Sequence, residues 1–377
     1  MYLHTRNWIL LPLFAATASV GTAITLETDP MGMLELEVPA QSDALISLPL
    51  HRTAVYSGQI ATVEGNRIDL VTTGASPDWS EDEWVYVADT QPVTYYALFM
   101  SGDLEGCYYT ISGNDADSLE LDLEAGSLEG YGLENQALQI VPYWTLGTFF
   151  SEQDAVTPSA AITGLGERSE LHFYDQSAGV DLAASTVFYY YDGTAFGGEG
   201  WRMRGDSWTE IHDDYPIAPD RAFGFRNITD SAVELLLPGQ VQMTQSTFVI
   251  EGREIDSDIR VATTSMVPVS LADSKLLESG AVEGTTSITG LDADLVMVMD
   301  NSAAGFDKAA VGIYYYYEGA SFGGPGWRLK GGGFLSLMDS VEVFQPGQGV
   351  LIRKVGDTSG SQALWQFLPE YLSSDLD

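Results

Sequence analysis

Apolar residues recur along this chain with the two-residue period of β-strands. Residues 60–70 alternate on either side of Gly65, residues 108–123 do so on either side of Gly113, and residues 248–255 give a third hairpin pattern. The first two hairpins would have one apolar face and one wet face. No long segment shows a 3.6-residue period with helix caps. The pattern predicts a mainly β chain, built from antiparallel β-sandwich or barrel-like domains.

One 17-residue block occurs twice, at an offset of 126 residues. Residues 189–205 have the sequence YYYDGTAFGGEGWRMRG and residues 315–331 have YYYEGASFGGPGWRLKG, so that eleven positions are identical. The same offset relates the two Ile-Thr-Gly-Leu stretches at 162–165 and 288–291. An offset kept over such distances indicates an internal duplication of about 100 residues. The copies would be either two tandem domains or one domain with pseudo-twofold symmetry.

The N-terminus has the layout of a secretory signal peptide. Arg6 precedes an apolar run from Trp8 to Val20, which is followed by small residues. This run is short for a membrane span, and we expect no span after signal removal. The mature protein is therefore expected outside the cytoplasm, either secreted, periplasmic or at the cell surface. The predicted segments are a signal peptide at 1–23, an N-terminal β domain at 24–139, and the two copies at 140–265 and 266–377.

Each copy of the block predicts a strand, a turn and a returning strand. The tyrosine triplets form the first strand, and Gly193 and Gly319 are expected to supply positive φ angles in the turn. The Phe-Gly-Gly-x-Gly-Trp stretch is expected to form a tight loop, with the second strand beginning near Trp201 or Trp327. Because side chains alternate along a strand, the first and third tyrosines should share one face.

This aromatic and glycine motif is the candidate binding site. Exposed tyrosine and tryptophan rings make flat platforms for sugars or partner proteins, and two equal surfaces gain from multivalency. In the alternative, the rings fill the core and the glycines let the loop fold over them. The arginine that follows each tryptophan in both copies would stack on that tryptophan or pair with an acid. The candidate residues are Tyr189, Tyr191, Phe196, Trp201, Arg202, Tyr315, Tyr317, Phe322, Trp327 and Arg328.

Charge narrows the range of partners. The chain has 54 acidic residues against 16 Lys and Arg, which gives a net charge of −38. Such a surface repels nucleic acid and anionic membranes, so the expected partner is a glycan, a protein or a second copy of the chain. Cys107 is the only cysteine, which excludes an intramolecular disulfide.

Sequence patterns of common active sites are absent, and no catalytic or metal-ligating residue is assigned. There is no His-Glu-x-x-His, Gly-x-Ser-x-Gly or P-loop pattern, so a non-catalytic protein is favoured. The alternative is a secreted polysaccharide hydrolase with paired carboxylates, placed near Trp79, Asp82 and Trp84. No cofactor is expected. Calcium is the one metal considered, at acidic stretches that lack the spacing of a calcium loop; the residues are Asn114, Asp115, Asp117, Asp122, Asp213 and Asp214.

Four sequence features of the chain point to the same group of proteins. They are residues 28–32 (TDPMG), residues 43–50 (DALISLPL), the hairpin at 105–114 and the paired Phe-Gly-Gly-x-Gly-Trp blocks. In these features the chain resembles an uncharacterised family of exported bacterial proteins that occurs as multiple paralogues. The resemblance implies an extracytoplasmic β protein and assigns no activity or site. We therefore expect a non-catalytic secreted or cell-surface protein, structural or binding, that uses its duplicated motifs.

Overall fold

A computed structural model describes residues 30–72, 77–88, 90–123, 126–150, 154–166, 168–176, 179–356 and 362–373. The predicted signal peptide at 1–23 lies outside these residues. The prediction of a mainly β chain is confirmed, and all named strand pairs are antiparallel. Within the described ranges, no helix has the length and apolar character needed to cross a membrane.

In the described part of the chain, the strands follow one another with two short helices among them. The first thirteen are β1 (Met31–Val38), β2 (Ser42–Ile46), β3 (Leu50–His51), β4 (Tyr56–Glu64), β5 (Arg67–Leu70), β6 (Tyr95–Phe99), β7 (Tyr108–Asn114), β8 (Ser118–Leu121), β9 (Ala137–Pro142), β10 (Trp144–Thr145), α1 (Leu146–Phe150), β11 (Ser169–Phe173) and β12 (Thr186–Tyr191). The others are β13 (Gly200–Met203), β14 (Pro216–Ile217), β15 (Phe223–Asn227), β16 (Val233–Val241), β17 (Ser246–Glu251), β18 (Ser257–Val261), β19 (Val269–Ser270), β20 (Leu295–Val298), β21 (Gly312–Tyr317), β22 (Gly326–Leu329), β23 (Glu342–Phe344), β24 (Val350–Lys354), β25 (Gln362–Phe367) and α2 (Glu370–Ser373).

Residues 56–142 form a closed barrel with the strand order β4-β5-β8-β7-β6-β9, in which β9 pairs with β4. The two hairpins predicted in this segment are confirmed. The second turn lies at 115–117, however, because Gly113 is part of a bulge within β7. Asn114 stays at the strand end, where its side chain bonds to the Ser80 carbonyl and to the Trp84 amide.

The duplicated unit forms two five-stranded sheets, and each has an edge strand from outside its predicted segment: β2 lies in segment 24–139 and β18 lies in segment 140–265. We define each copy as its sheet together with this edge strand. The strand orders are β13-β12-β11-β15-β2 and β22-β21-β20-β24-β18. In both sheets the tyrosine strand pairs with a strand that begins one residue before the tryptophan, close to the predicted place. Tyr190 lies opposite Trp201, and Tyr316 lies opposite Trp327. The two copies thus have the same strand order.

The barrel interrupts the first copy of this arrangement. The edge strands β2 and β18 hold equivalent places and are offset by 215 residues, whereas β15 and β24 are offset by 127. The offset changes because the barrel lies between β2 and the rest of the first sheet. Segment 24–139 therefore contributes to three sheets: β1 and β3 pair with β16, β2 pairs with β15, and β4 to β8 belong to the barrel. Strand β9 crosses the boundary at residue 139.

The two sheets contact each other through reciprocal backbone hydrogen bonds. The Ala222 amide donates to the Arg260 carbonyl at 3.1 Å. At the pseudo-symmetric position, the Gly349 amide of the second copy donates to the Leu45 carbonyl of the first copy at 3.0 Å. Each copy thus donates to the edge strand of the other, which is a pseudo-twofold arrangement.

Ion pairs at this contact follow the same symmetry. In the first sheet, Arg226 donates from Nε and Nη2 to the two Asp43 oxygens, both at 2.6 Å, and it reaches Asp307 of the second copy at 2.7 Å. The Asp307 amide also donates to Asp43 at 2.8 Å. The second copy therefore supplies Asp307 to the ion pair of Arg226 and Asp43 in the first copy.

The second sheet repeats these contacts. Arg353 donates to both oxygens of Asp258 at 2.7 and 2.9 Å, and it reaches Asp181 of the first copy at 2.6 Å. The Asp181 amide donates to Asp258 at 2.9 Å. The two networks differ in burial, because the side chain of Asp258 is 2 % exposed and that of Asp43 is 22 % exposed.

The hairpin predicted over 248–255 is wrong. Strand β17 pairs with β25, and β18 pairs with β24, so that residues 252–256 connect two different sheets. The tertiary partner is stronger than the local one because Phe248 stacks on the buried Trp365, with ring centroids 4.6 Å apart. The prediction could not include this partner, which lies more than 100 residues away in the chain.

Candidate functional site

The loop between β12 and β13 is shaped by a run of left-handed residues. Phe196, Gly197, Gly198 and Gly200 have φ angles of 55°, 94°, 98° and 143°. Glycine adopts the larger of these values most readily, which explains the three glycines, whereas Phe196 takes a left-handed conformation that is uncommon for a residue with a side chain. The equivalent residues between β21 and β22 have φ angles of 55°, 91°, 90° and 149°. The two loops therefore have matching backbone conformations.

The prediction that Gly193 and Gly319 supply positive φ angles is wrong, because neither has one. Both are glycines for a different reason. A Cβ atom at Gly193 would collide with the Tyr191 hydroxyl, and one at Gly319 would collide with that of Tyr317. The missing side chain thus makes room for the third tyrosine of the triplet.

A buried arginine holds the first loop in shape. The Arg202 guanidinium donates to the carbonyl oxygens of Phe196 at 3.3 Å, of Gly198 at 2.6 Å and of Trp208 at 3.1 Å. Its central carbon lies 5.7 Å from the centre of the Tyr191 ring. The arginine therefore stacks on the third tyrosine, and its charge is compensated by loop carbonyls.

The second loop has the same arginine contacts. Arg328 donates to the carbonyl oxygens of Phe322 at 3.3 Å, of Gly324 at 2.8 Å and of Phe334 at 3.2 Å. It lies 5.8 Å from the Tyr317 ring centre. Since buried carbonyls need partners, each arginine fixes its loop by satisfying three of them.

Eight of the ten candidate residues are buried, each with at most 5 % of its surface exposed. They are Tyr189, Tyr191, Trp201, Arg202, Tyr315, Tyr317, Trp327 and Arg328. Phe196 and Phe322 are 44 % and 46 % exposed. A buried ring cannot serve as a platform, so within the predicted set only these two phenylalanines present a ring to solvent.

The first tyrosine of each triplet is covered by the Ile-Thr-Gly-Leu stretch of the same copy. Tyr189 Oη donates to the Ile162 carbonyl, and a Cβ at Gly164 would meet the Tyr189 ring at 2.8 Å. In the second copy Tyr315 Oη donates to Ile288, and the middle tyrosine packs against the main core on the other face. The two repeated sequence blocks are thus in mutual contact, which gives a physical reason for their joint retention.

Two exposed rings outside the predicted set complete the surface. Trp208 is 52 % exposed and packs edge-on against Phe196, with centroids 5.7 Å apart. Phe334 is 47 % exposed and packs against Phe322, with centroids 6.1 Å apart. Trp208 and Phe334 have the same 126-residue offset, a signal that lies just beyond the block of high identity.

We define the first patch as Phe196, Trp208 and Ile211, and the second patch as Phe322, Phe334, Leu335 and Leu337. All seven side chains are exposed large hydrophobics. No family model, curated protein or solved structure matches this chain. The resemblance to exported bacterial proteins therefore stays a prediction, and the two patches carry the functional argument.

Two of the carboxylates considered for calcium have protein partners. Asp115 pairs with Arg67 at 2.9 Å, and Asp213 Oδ1 accepts a hydrogen bond from the Trp201 amide at 2.8 Å. Burial, opposed by this hydrogen bond, raises the pKa of Asp213. These carboxylates have evident structural roles in the barrel and in the first loop.

The region considered for a hydrolase is an aromatic cover on the barrel core. The rings of Tyr56, Trp79, Trp84 and Tyr95 follow one another edge to face, with centroid distances of 4.9, 5.5 and 5.1 Å. All four pack against the buried barrel residues. Asp82 lies in the turn between the tryptophans with a φ of 57°. Trp79 and Trp84 thus contribute to barrel packing.

The copies differ on the sheet face that carries the first and third tyrosines. In the first copy, buried Glu170 pairs with Arg168, Arg204 and His172. Burial acts to raise the pKa of Glu170, but the His172 hydrogen bond and the two arginines outweigh it and lower the pKa to about 2. In the second copy the corresponding cluster is apolar and includes Leu295.

The buried Glu170 cluster predicts how the stability of the fold depends on pH. Because the folded pKa of Glu170 lies below its ordinary value, ionised Glu170 stabilises the fold above about pH 4.5, and this contribution is lost as the pH falls toward 2. We expect Glu170→Gln to remove up to about 3 kcal/mol of pH-dependent unfolding free energy in this window. Urea unfolding at several pH values measures it, with Glu254→Gln as an exposed control. An unchanged pH slope in Glu170→Gln would contradict the prediction.

Proposed function

We propose that this chain is a non-catalytic secreted or cell-surface β protein that binds a protein partner through the first and second patches. One observation carries the proposal. Equivalent loops in the two copies expose an aromatic pair, Phe196 with Trp208 and Phe322 with Phe334. The other eight candidate residues are buried. A ring pair retained in exposed positions of both copies is not explained by core packing.

The loops suit binding because they are held in one shape. Arg202 bonds to the carbonyls of both Phe196 and Trp208, and Arg328 does the same for Phe322 and Phe334. The backbones under the exposed rings are therefore fixed to each other before any partner arrives. A surface formed in advance loses less conformational entropy on binding than a mobile one.

The chemistry of the patches favours a protein over a glycan. The second patch includes Leu335 and Leu337, which are 74 % and 53 % exposed. Adjoining aromatic and aliphatic side chains are typical of the core of a protein interface. The net charge of −38 repels a second copy at low ionic strength and attracts a partner with basic residues around its apolar centre.

Peptides selected from a random phage-displayed library provide the test. Selected peptides are expected to combine apolar side chains with Lys or Arg. The double variant Trp208→Ala with Phe334→Ala is expected to weaken their binding at least about tenfold, because interface aromatic residues often contribute 2 kcal/mol or more. Fluorescence anisotropy measures the affinities.

The Ile-Thr-Gly-Leu stretches offer a matched control. Leu165 and Leu291 are equivalent, are exposed, and lie outside both patches. The variant Leu165→Ala with Leu291→Ala should bind the peptides as the wild type does. Equal loss in both double variants, or undiminished binding without the rings, would reject the proposal. A polysaccharide that loses binding in the ring variant would assign the patches to a glycan, and a dimer that dissociates in it would assign them to self-association.

A further inference from the structure

The loop that carries Trp208 also assembles three potential metal ligands. One ligand atom from each of Asp206, Glu210 and His212 lies within 4.8 Å of the other two. Among the described residues, this is the one group of three or more such side chains that meets this spacing. It is not a purely acidic cluster, because an imidazole nitrogen takes part.

The imidazole nitrogen has no hydrogen-bond partner. His212 Nε2 is buried and lies 3.2 Å from Asp206 Oδ2 without forming a hydrogen bond to it. A buried polar atom normally has a partner, and leaving one without costs about 1–3 kcal/mol in free energy. A cation between the imidazole and the carboxylate would satisfy this nitrogen.

The fold fixes the direction of the imidazole. The His212 amide donates to the Trp201 carbonyl at 2.9 Å, and the ring packs edge-on against the buried Phe188 at 5.6 Å. The Asp206 side chain is held from the other side, since its Oδ1 accepts from the Ser207 amide at 2.7 Å and leaves Oδ2 toward the imidazole. Two of the three ligands are therefore positioned by contacts unrelated to a metal.

The second copy has the same loop without the ligands. Met338 occupies the place of His212, and its amide donates to the Trp327 carbonyl at 3.0 Å as the histidine does in the first copy. Gly332 and Ser336 stand where Asp206 and Glu210 stand. The loop backbone thus keeps this contact with none of the three ligands, so their presence in the first copy requires another explanation than folding.

We propose that Asp206, Glu210 and His212 bind a divalent transition-metal cation, represented by Zn²⁺. Zinc binds imidazole nitrogen at about 2.0–2.1 Å and carboxylate oxygen at about 2.0–2.2 Å. Calcium takes oxygen ligands, so the imidazole selects against it. In a tetrahedral site with these bond lengths, two ligand atoms of one ion are about 3.4 Å apart. The exposed Glu210 side chain turns inward to complete the set, and three protein ligands leave a fourth position to water.

Isothermal titration of the full mature chain with Zn²⁺ in 150 mM salt, after treatment with EDTA, tests the proposal. The expected result is one equivalent bound per chain and a higher melting temperature with zinc. His212→Met installs the residue of the second copy and is expected to keep the fold while weakening zinc binding at least about tenfold. Asp206→Gly and Glu210→Ser, also residues of the second copy, should weaken it in the same direction.

Asp214→Ser is the matched control, because it also installs a residue of the second copy, Ser340, and removes a nearby negative charge without removing a ligand. It is expected to change zinc affinity less than about twofold, since salt screens a partly exposed charge. Absence of stoichiometric binding in the wild type would overturn the proposal. So would equal affinity in His212→Met, or calcium binding as tight as zinc binding. None of these results depends on whether the patches bind a protein.

Discussion

Replacement of Trp201 by alanine is expected to lower the unfolding free energy by about 3–5 kcal/mol. The side chain is 1 % exposed and contacts Phe150 and Tyr190, with centroid distances of 5.3 and 5.7 Å. Its removal leaves a cavity that the surrounding rings fill only in part. Urea unfolding followed by circular dichroism measures the loss.

Trp208 provides the control within the same loop. It is half exposed, and Trp208→Ala is expected to change the unfolding free energy by no more than about 0.5 kcal/mol. The two tryptophans, seven residues apart, thus separate stability from binding: the first variant should unfold early, and the second should stay folded and bind less. Equal destabilisation in the two variants would refute this division.

Loss of Asp258 is the second large effect that we expect, because this carboxylate is buried and pairs with Arg353. Asp258→Ala leaves the arginine charge without its main partner and should cost about 3–5 kcal/mol. Its pseudo-symmetric equivalent Asp43 is more exposed, and Asp43→Ala should cost about 1–3 kcal/mol. Paired urea unfolding curves compare the two variants directly.

The dependence on salt concentration should distinguish the Asp43 and Asp258 variants further. In 1 M NaCl the loss from Asp43→Ala should shrink, whereas that from Asp258→Ala should persist, because salt screens a partly exposed pair more than a buried one. Asp69→Ala, which removes an exposed pair with Arg67, should have almost no effect in either condition. A cost at Asp43 equal to that at Asp258, with no salt dependence, would contradict the assignment by burial.

The sequence predicted much of the duplicated unit because its most similar residues contact one another. The tyrosine triplet, the glycine loop and the Ile-Thr-Gly-Leu stretch were all visible at one offset, and each touches the next in the fold. Strand alternation also placed the first and third tyrosines on one face. Alternation does not say which face another segment of the chain will cover, however, so the burial of Tyr189 and Tyr191 could not be predicted.

The edge strands β2 and β18 could not be recognised as equivalent from the sequence, for a different reason. Ser42-Asp43 and Ser257-Asp258 are equivalent, but only these two residues match within the strands, and their offset differs from that of the rest of the unit. An insertion of barrel size removes the constant spacing on which the comparison depends. The three proposed zinc ligands were missed similarly, since they occur in one copy and become a group only when the turn after β13 brings them together.

The way in which the barrel joins the first copy has an evolutionary consequence. Strands β4 and β9, the first and last of the barrel, are neighbours, so that the chain enters and leaves at one place. The second copy connects β18 to β19 directly through residues 262–268. The second copy thus shows how the unit is connected without a barrel. In the first copy, recombination could replace the barrel by another module whose ends lie close together.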